Sequence, residues 1–369
     1  MSSKEWPSWL PLRRDLQPLS PYGAPQVPAE ATLNTNENPY APSAELAKAI
    51  GDRIHQVALN LNRYPDRDAV SLRKSLAGFI NNLSGTSFNV DQIWAANGSN
   101  EIIQSLFMAF SDRPTLGFTP SYSMHPLIAQ VIGVQWLDGG RRPDFSLDVV
   151  KAVAEISKAK PSLTFITTPN NPTGTTVTLG EIAVLAEAAA KVNGLLVVDE
   201  AYAEFSNLPS AVTLLDKHPN LIVIRTMSKA FAFAGARLGY LIADPEIVSA
   251  MFLVRLPYHL SSLTQAAAEV ALEYQSELLG TVSSLIRSRE LVTSELEKMG
   301  LQVVPSQANF ILFTGFRLEP GQLWRQLLDR GVLIRDVGLL GYLRMTIGNE
   351  AENRRFIAAL QEILNGESQ

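Results

Sequence analysis

Cysteine is absent from the 369-residue chain, which excludes disulfides, iron–sulfur clusters, thiolate zinc sites and a cysteine nucleophile. That absence suits a reducing cytoplasm, the compartment expected here. Histidine is scarce: His55, His125, His218 and His259 are scattered. None forms an HExxH or HxH cluster, so no transition-metal site is expected. No stretch reaches ~18 uninterrupted apolar residues, and no membrane span is predicted. The segment from Met1 to Pro28 is broken by Pro7, Pro11, Pro18, Pro21 and Pro25 and lacks the apolar run of a signal peptide. Walker, GxGxxG and GxSxG signatures are missing as well. Lys and Arg number 31 against 36 Asp and Glu, a formal net charge of −5 with no basic block. Such a balance leaves no electrostatic footprint for nucleic acid.

What is present is enough apolar residue for a sizeable core: hydrophobic residues make up 46% and charged residues 18%, which argues against disorder. Residues 1–30 read as an irregular N-terminal arm. Amphipathic patterns over 43–60 (Leu46, Ile50, Ile54, Val57) and 68–83 (Val70, Leu72, Leu76, Phe79, Ile80, Leu83) predict helices. Short apolar runs follow at 93–96, 115–118, 134–137, 163–167, 195–198, 221–225 and 238–243, most of them separated by helical patterns at 101–110, 122–132, 147–159 and 179–192. Alternation of this kind, with near-continuous apolar strands, predicts a mostly parallel sheet covered on both faces. After about residue 260 the rhythm changes. A helical region over 262–299 precedes strands at 302–304, 309–314, 332–335 and 343–347, with helices near 320–330 and 350–365. The predicted class is α/β, with a large mostly parallel domain at 31–261 and a smaller α+β domain at 262–369.

Open parallel sheets bind ligands at the carboxyl ends of their strands, and several of these ends carry unusual residues. The run 195–198 leads directly into Asp199, a position where an acid can also be a helix cap or a metal ligand. Lys229 follows the run 221–225, and Arg237 comes eight residues later; a lysine at a strand end can equally be a solvated surface residue. Thr168-Pro169-Asn170-Asn171-Pro172-Thr173-Gly174 closes the run 163–167 and would make a rigid turn for structural reasons alone. As a set, Asp199, Lys229 and Arg237 are far more specific. A lysine can form a Schiff base with an aldehyde, an aspartate can keep a pyridine nitrogen protonated, and an arginine can clamp a phosphate. Those are the demands of pyridoxal 5′-phosphate acting as an electron sink. Asn97-Gly98-Ser99-Asn100-Glu101 adds small residues and free backbone N–H groups at a predicted helix start, another phosphate site or simply a helix cap.

With these blocks in place, the sequence resembles the fold-type I pyridoxal-phosphate-dependent aminotransferases of class II, and among them the histidinol-phosphate branch. The resemblance runs from Leu33-Asn34-Thr35-Asn36-Glu37-Asn38-Pro39 to Leu343-Arg344-Met345-Thr346-Ile347-Gly348, through Ser228-Lys229-Ala230-Phe231 and Arg237-Leu238-Gly239-Tyr240. It implies that Lys229 bonds the cofactor and shuttles a proton, that Asp199 pairs with the pyridine nitrogen, and that Tyr122 stacks on the ring. Asn171 and Tyr202 are implied at the ring oxygen; Gly98, Ser99, Asn100, Thr226, Ser228 and Arg237 at the phosphate. Asn62-Arg63-Tyr64-Pro65 matches a segment that reaches the neighbouring subunit's site, which implies a homodimer with Tyr64 at the partner's phosphate. Arg344 is implied at the glutamate carboxylate, with Tyr22, Tyr258 and Arg335 around the rest of the substrate. Two departures stand out: Ser99 and Asn100 replace the usual residues of the phosphate turn, and Pro257-Tyr258-His259-Leu260-Ser261 replaces a segment often reading Pro-Tyr-Asn-Val-Asn. The expected reaction interconverts histidinol phosphate plus 2-oxoglutarate with imidazole-acetol phosphate plus glutamate. An aromatic amino-acid aminotransferase on the same fold is the alternative.

Overall fold

The computed structural model describes residues 6–21 and 23–366. The chain enters through β1 (Ala31–Thr32), α1 (Ala44–Ala58) and α2 (Val70–Ser84). It then alternates β2 (Ile93–Ala96), α3 (Ser99–Phe110), β3 (Thr115–Gly117), α4 (Met124–Ile132), β4 (Trp136–Asp138), α5 (Val149–Ala159), β5 (Leu163–Thr167), α6 (Leu179–Ala190) and β6 (Leu195–Asp199). Next come β7 (Leu221–Thr226), β8 (Gly239–Ala243) and α7 (Pro245–Val254). The C-terminal region contains α8 (Ser262–Glu273), α9 (Gln275–Lys298), β9 (Gln302–Val303), β10 (Phe310–Thr314), α10 (Pro320–Asp329), β11 (Val332–Leu333), β12 (Leu343–Thr346) and α11 (Glu350–Gly366). Among the described residues, no helix is long and apolar enough to cross a membrane.

The helices begin where the sequence offers a cap. Ser43, Asp148 and Ser261 each accept a backbone N–H in the first turn of α1, α5 and α8. At α6, Thr178 and Glu181 form a reciprocal capping box, satisfying two otherwise orphaned donors. The apolar runs become strands that are buried along their whole length, as in β5, β7 and β8. Successive residues face opposite layers: in β7, Val223 joins the core beneath α2, α5, α6, α8 and α9, while Ile222 and Ile224 join the core beneath α3, α4 and α7.

The large sheet has strand order β2-β8-β7-β6-β5-β3-β4. All adjacent pairs are parallel except those of β8, which runs antiparallel to both β2 and β7. The carboxyl ends of the parallel strands and the amino end of β8 therefore lie along one edge. Register fixes this, since Gly239 pairs with both Ala96 and Thr226, and Thr167 pairs with Asp199. A second sheet has order β12-β10-β9, and β1 pairs in parallel with β11. Two points differ from the sequence reading. The helical region 262–299 is two helices meeting at Tyr274, whose ψ of 20° leaves the helical range. An unanticipated helix, α7, starts with Pro245 in its first turn behind the Asp244 cap.

Candidate active site

The shared strand edge opens into a cavity of about 480 Å³. Its wall contains Ser99, Asn100, Tyr122, Asn171, Asp199, Tyr202, Thr226, Ser228, Lys229, Arg237, Arg335 and Arg344, residues drawn from both sheets and their connections. Most of the residues singled out from sequence are thus brought together.

Lys229 stands in the β7–β8 connection, where its Nζ donates to the Thr35 carbonyl at 3.0 Å. Burial, with the charges of Arg344 and Arg237, lowers its pKa to about 8, while Glu37 works in the opposite direction. A neutral amine is therefore accessible near neutral pH, as a nucleophilic lysine requires. Asp199 ends β6 and is almost wholly buried. Its Oδ1 accepts the Ala201 N–H at 3.1 Å and its Oδ2 lies 3.1 Å from Nε2 of His125. His125 is fully buried on α4, edge-on to Tyr122 and packed on Phe165 and Trp136. In the sequence it is one of four scattered histidines. A signal was there, three residues after Tyr122 in the same helical segment, but its partner is distant in sequence.

One end of the cavity is built for an anion. Gly98 adopts φ +86° ahead of α3, and a Cβ there would stand 2.8 Å from the Arg237 guanidinium. A Cβ on Gly239 would lie 2.5 Å from the Ser99 nitrogen. Both positions need glycine so that the start of α3, β8 and Arg237 can converge. Ser228 N–H donates to the Thr226 hydroxyl at 3.2 Å, and that hydroxyl donates to Ser228 Oγ at 3.1 Å. The helix N-terminus, two hydroxyls and a guanidinium together make a cup suited to a phosphate. Tyr122 reaches into this region through a 3.1 Å hydrogen bond to Asn100 Oδ1.

The other end is made by the second sheet. Arg335 and Arg344 are directly opposed across an antiparallel bridge, with both N–H···O contacts at 2.9 Å, so their side chains leave the same face. Arg344 donates to Asn171 Oδ1 at 2.6 Å and to the Asn34 carbonyl at 2.7 Å, with its guanidinium 5.2 Å from the Phe310 ring centre. Asn171 in turn donates to the Tyr202 hydroxyl at 3.5 Å.

Of the expected substrate residues, Tyr258 stands off the cavity wall. Tyr64 and Tyr258 stack on each other at 4.4 Å, outside the wall of this chain's cavity, and Tyr64 is 80% exposed. Tyr22 lies outside the described residues. His259 is packed rather than pocket-lining, stacked on Trp94 with Nε2 2.9 Å from the Ala95 carbonyl oxygen. Among the described residues, no group of three or more His, Asp or Glu could hold a metal ion.

Residues 30–360 match the family model of the class I and II aminotransferases. The chain is 52% identical over 363 residues to a histidinol-phosphate aminotransferase of Mycolicibacterium smegmatis, covering 98% of this chain and 95% of that one. A histidinol-phosphate aminotransferase of Nocardia farcinica is 51% identical, with 97% and 94% covered. Among solved structures, that of the Sinorhizobium meliloti histidinol-phosphate aminotransferase in complex with pyridoxal-5′-phosphate superposes with a TM-score of 0.83 at 25% identity, covering 97% of this chain and 98% of that one. A Thermus thermophilus aspartate aminotransferase mutant shares the fold, with a TM-score of 0.81 at 21% identity over 96% of this chain and 99% of that one.

Proposed function

The chain belongs to the class I and II aminotransferases, and from that premise we propose that it moves the amino group of L-histidinol phosphate to 2-oxoglutarate, giving imidazole-acetol phosphate and L-glutamate in histidine biosynthesis. Its architecture is that of the fold-type I pyridoxal-phosphate enzymes, and its cofactor is pyridoxal 5′-phosphate. The residues present fit that group: glycine at 98 and 239 lets the start of α3, β8 and Arg237 converge at one end of the cavity, where Ser99, Thr226, Ser228 and Arg237 line the wall. An acid and a lysine of lowered pKa stand in the same cavity.

When bound, the cofactor supplies a carbonyl for amine exchange and an electron sink for the charge developing at the substrate Cα. The chain supplies the rest. Thr226, Ser228, Arg237 and the N–H groups of Ser99 and Asn100 would hold the phosphate, the Gly98 N–H being taken by the Ala96 carbonyl, while Asn171 and Tyr202 would hold the ring oxygen and Tyr122 would flank the ring. Asp199 would keep a proton on the pyridine nitrogen, with its carboxylate fixed by His125. Lys229 Nζ takes the proton from the substrate Cα. Arg344 binds the carboxylate of glutamate, and Arg335 and Tyr22 meet the distal phosphate of the other substrate, while Tyr258, stacked on Tyr64, lies off this chain's cavity wall.

The observation that carries the substrate assignment is the opposed pair Arg335 and Arg344 on one wall. One guanidinium suffices for the carboxylate of an aromatic amino acid. Two serve a donor with a phosphate and an acceptor with two carboxylates, since the guanidinium fork matches both anions. Assay of a panel of amino donors tests this. Histidinol phosphate should exceed phenylalanine in kcat/KM by on the order of 10²-fold or more, and Arg335→Ala should shrink that ratio. Equal or better turnover of phenylalanine would transfer the chain to the aromatic aminotransferases.

A cytoplasmic homodimer is part of the same proposal, with Tyr64 entering the partner's site at the phosphate. Its support is the exposure of Leu59, Leu61, Tyr64, Leu253 and Leu256 on two segments joined by the Tyr64–Tyr258 stack. So is the division into an arm to residue 30, a large domain to 261 and a small domain beyond. It is supported by the seven-stranded sheet lying wholly before that boundary and the three-stranded sheet wholly after it.

A further inference from the structure

The charges of the cavity leave one recognition task without a residue. The arginines answer the anionic groups of both substrates. Histidinol phosphate also carries an imidazole ring, whose N–H is a donor that a phenyl ring lacks, and donors are discriminated by buried or pocket-facing acceptors. Besides Asp199, the carboxylates on the wall are Glu37 and Asp336. Asp199 is occupied by His125 and the Ala201 N–H. Asp336 Oδ1 accepts the Gly338 N–H at 2.8 Å within its own turn. Glu37 makes no hydrogen bond or ion pair among the described residues.

Its surroundings are the opposite of loose. Asn36 Nδ2 donates to the Tyr202 hydroxyl at 2.9 Å, and its backbone N–H donates to Thr346 Oγ1 at 3.0 Å. Thr346 returns a bond to Asn36 Oδ1, and Asn309 donates to the Asn36 carbonyl at 3.1 Å. On the other side Asn38 Nδ2 donates to Thr281 Oγ1 at 3.0 Å, and Asn38 Oδ1 accepts the Tyr40 N–H at 3.0 Å. Both flanking residues are pinned to distant parts of the chain, while Glu37 between them is exposed, lines the cavity and is unpaired among the described residues. Its charge is felt at Lys229 Nζ, the group that works on the substrate Cα. In histidinol phosphate the imidazole is one methylene from that carbon.

We infer that Glu37 accepts the imidazole N–H of the amino donor and is the residue by which this enzyme prefers an imidazole to a phenyl ring. The inference rests on the histidinol-phosphate reading above. A carboxylate accepts from the neutral ring and more strongly from the protonated one, whereas a phenyl ring offers it nothing and leaves its hydration disturbed.

The test compares kcat/KM for histidinol phosphate and for phenylalaninol phosphate, which keeps the amine and the phosphate and replaces only the ring. It is made on holoenzyme of the wild type and of Glu37→Ala, Glu37→Gln and Asp336→Ala. Glu37→Ala should lower the ratio of the two donors by about 10- to 100-fold. Glu37→Gln, whose carbonyl still accepts, should restore part of it. An unchanged ratio in Glu37→Ala, or an equal loss on both donors, overturns the assignment while leaving the functional reading intact. Collapse of the ratio in Asp336→Ala but not in Glu37→Ala overturns it too. A wild-type enzyme that uses phenylalanine and ignores histidinol phosphate brings down the functional reading itself, and this inference with it.

Discussion

Asp199 and Glu200 are neighbours in sequence, both nearly buried at the end of the same strand, and they face opposite layers of the sheet. Asp199 meets His125 and opens onto the cavity. Glu200 points the other way, where Arg225 Nε lies 3.1 Å from its Oε2 and Arg225 Nη1 donates to Glu204 Oε1 at 2.8 Å. Ser210 and the Ala211 N–H supply Glu200 with two more donors. Burial alone would lower the Arg225 pKa, yet the two glutamates raise it above its ordinary value. Burial also raises Glu204, against the pull of Arg225. A buried charge is affordable on either face, but for different ends: one cluster lines the candidate site, the other neutralises Arg225 between Glu200 and Glu204.

Substitutions should separate the two clusters. Lys229→Ala, on the cavity side, should lower turnover by on the order of 10⁴-fold or more and abolish borohydride trapping of the cofactor, with no loss in the urea midpoint. Arg225→Ala, on the other face, leaves two glutamates facing each other without their cation. It should destabilise the fold by about 3–5 kcal/mol in denaturant titration, while kcat per folded molecule stays near that of the wild type. Asp199→Asn should bind cofactor and lose at least ~10-fold in kcat, since a charge-assisted hydrogen bond is worth roughly 1.5–3 kcal/mol. His125→Phe should cost a smaller factor, roughly 3- to 10-fold. Combined with Asp199→Asn it should add almost nothing, because His125 acts only through the Asp199 charge that the first change already removes.

The smallest effect concerns pH. The Lys229 pKa is lowered from 10.5 to about 8 in the cofactor-free protein. Between those values the unfolded chain holds a proton that the folded chain has released, so stability should rise with pH across that window. Below about pH 8 the full penalty remains. Lys229→Met should flatten the slope between pH 8 and 10.5 in thermal unfolding of the apoprotein; an unchanged slope would show that other groups set it.

The strand edge was readable in advance because its information is local. Each apolar run at 93–96, 163–167 and 195–198 became a strand, and the residue types at its carboxyl end mark chemistry within a few positions. The direction of β8 was not readable, since an apolar run looks the same both ways and the connection over 227–238 is long enough for either direction. His125 was missed because a lone histidine among apolar helix residues reads as core, and what singles it out is a partner 74 residues away. The opposed arginines belong to the same kind: a strand arginine in isolation is a surface residue, and the bridge between positions 335 and 344 is a property of the folded sheet.

Because β8 turns back along β7, the connection between them leaves and re-enters the sheet at the same edge, closed at its neck by the Met227 N–H to Leu238 carbonyl bond at 3.0 Å. Lys229 and Arg237 both belong to that closed loop. With the roles proposed for Lys229 and Arg237, the covalent grip on the cofactor and the cationic grip on its phosphate would be a single mechanical unit. Opening the neck disturbs both grips at once, so escape of the cofactor and exchange of the Met227 amide with solvent deuterium should share one opening event. Where that opening limits release, the two rates should rise together with temperature.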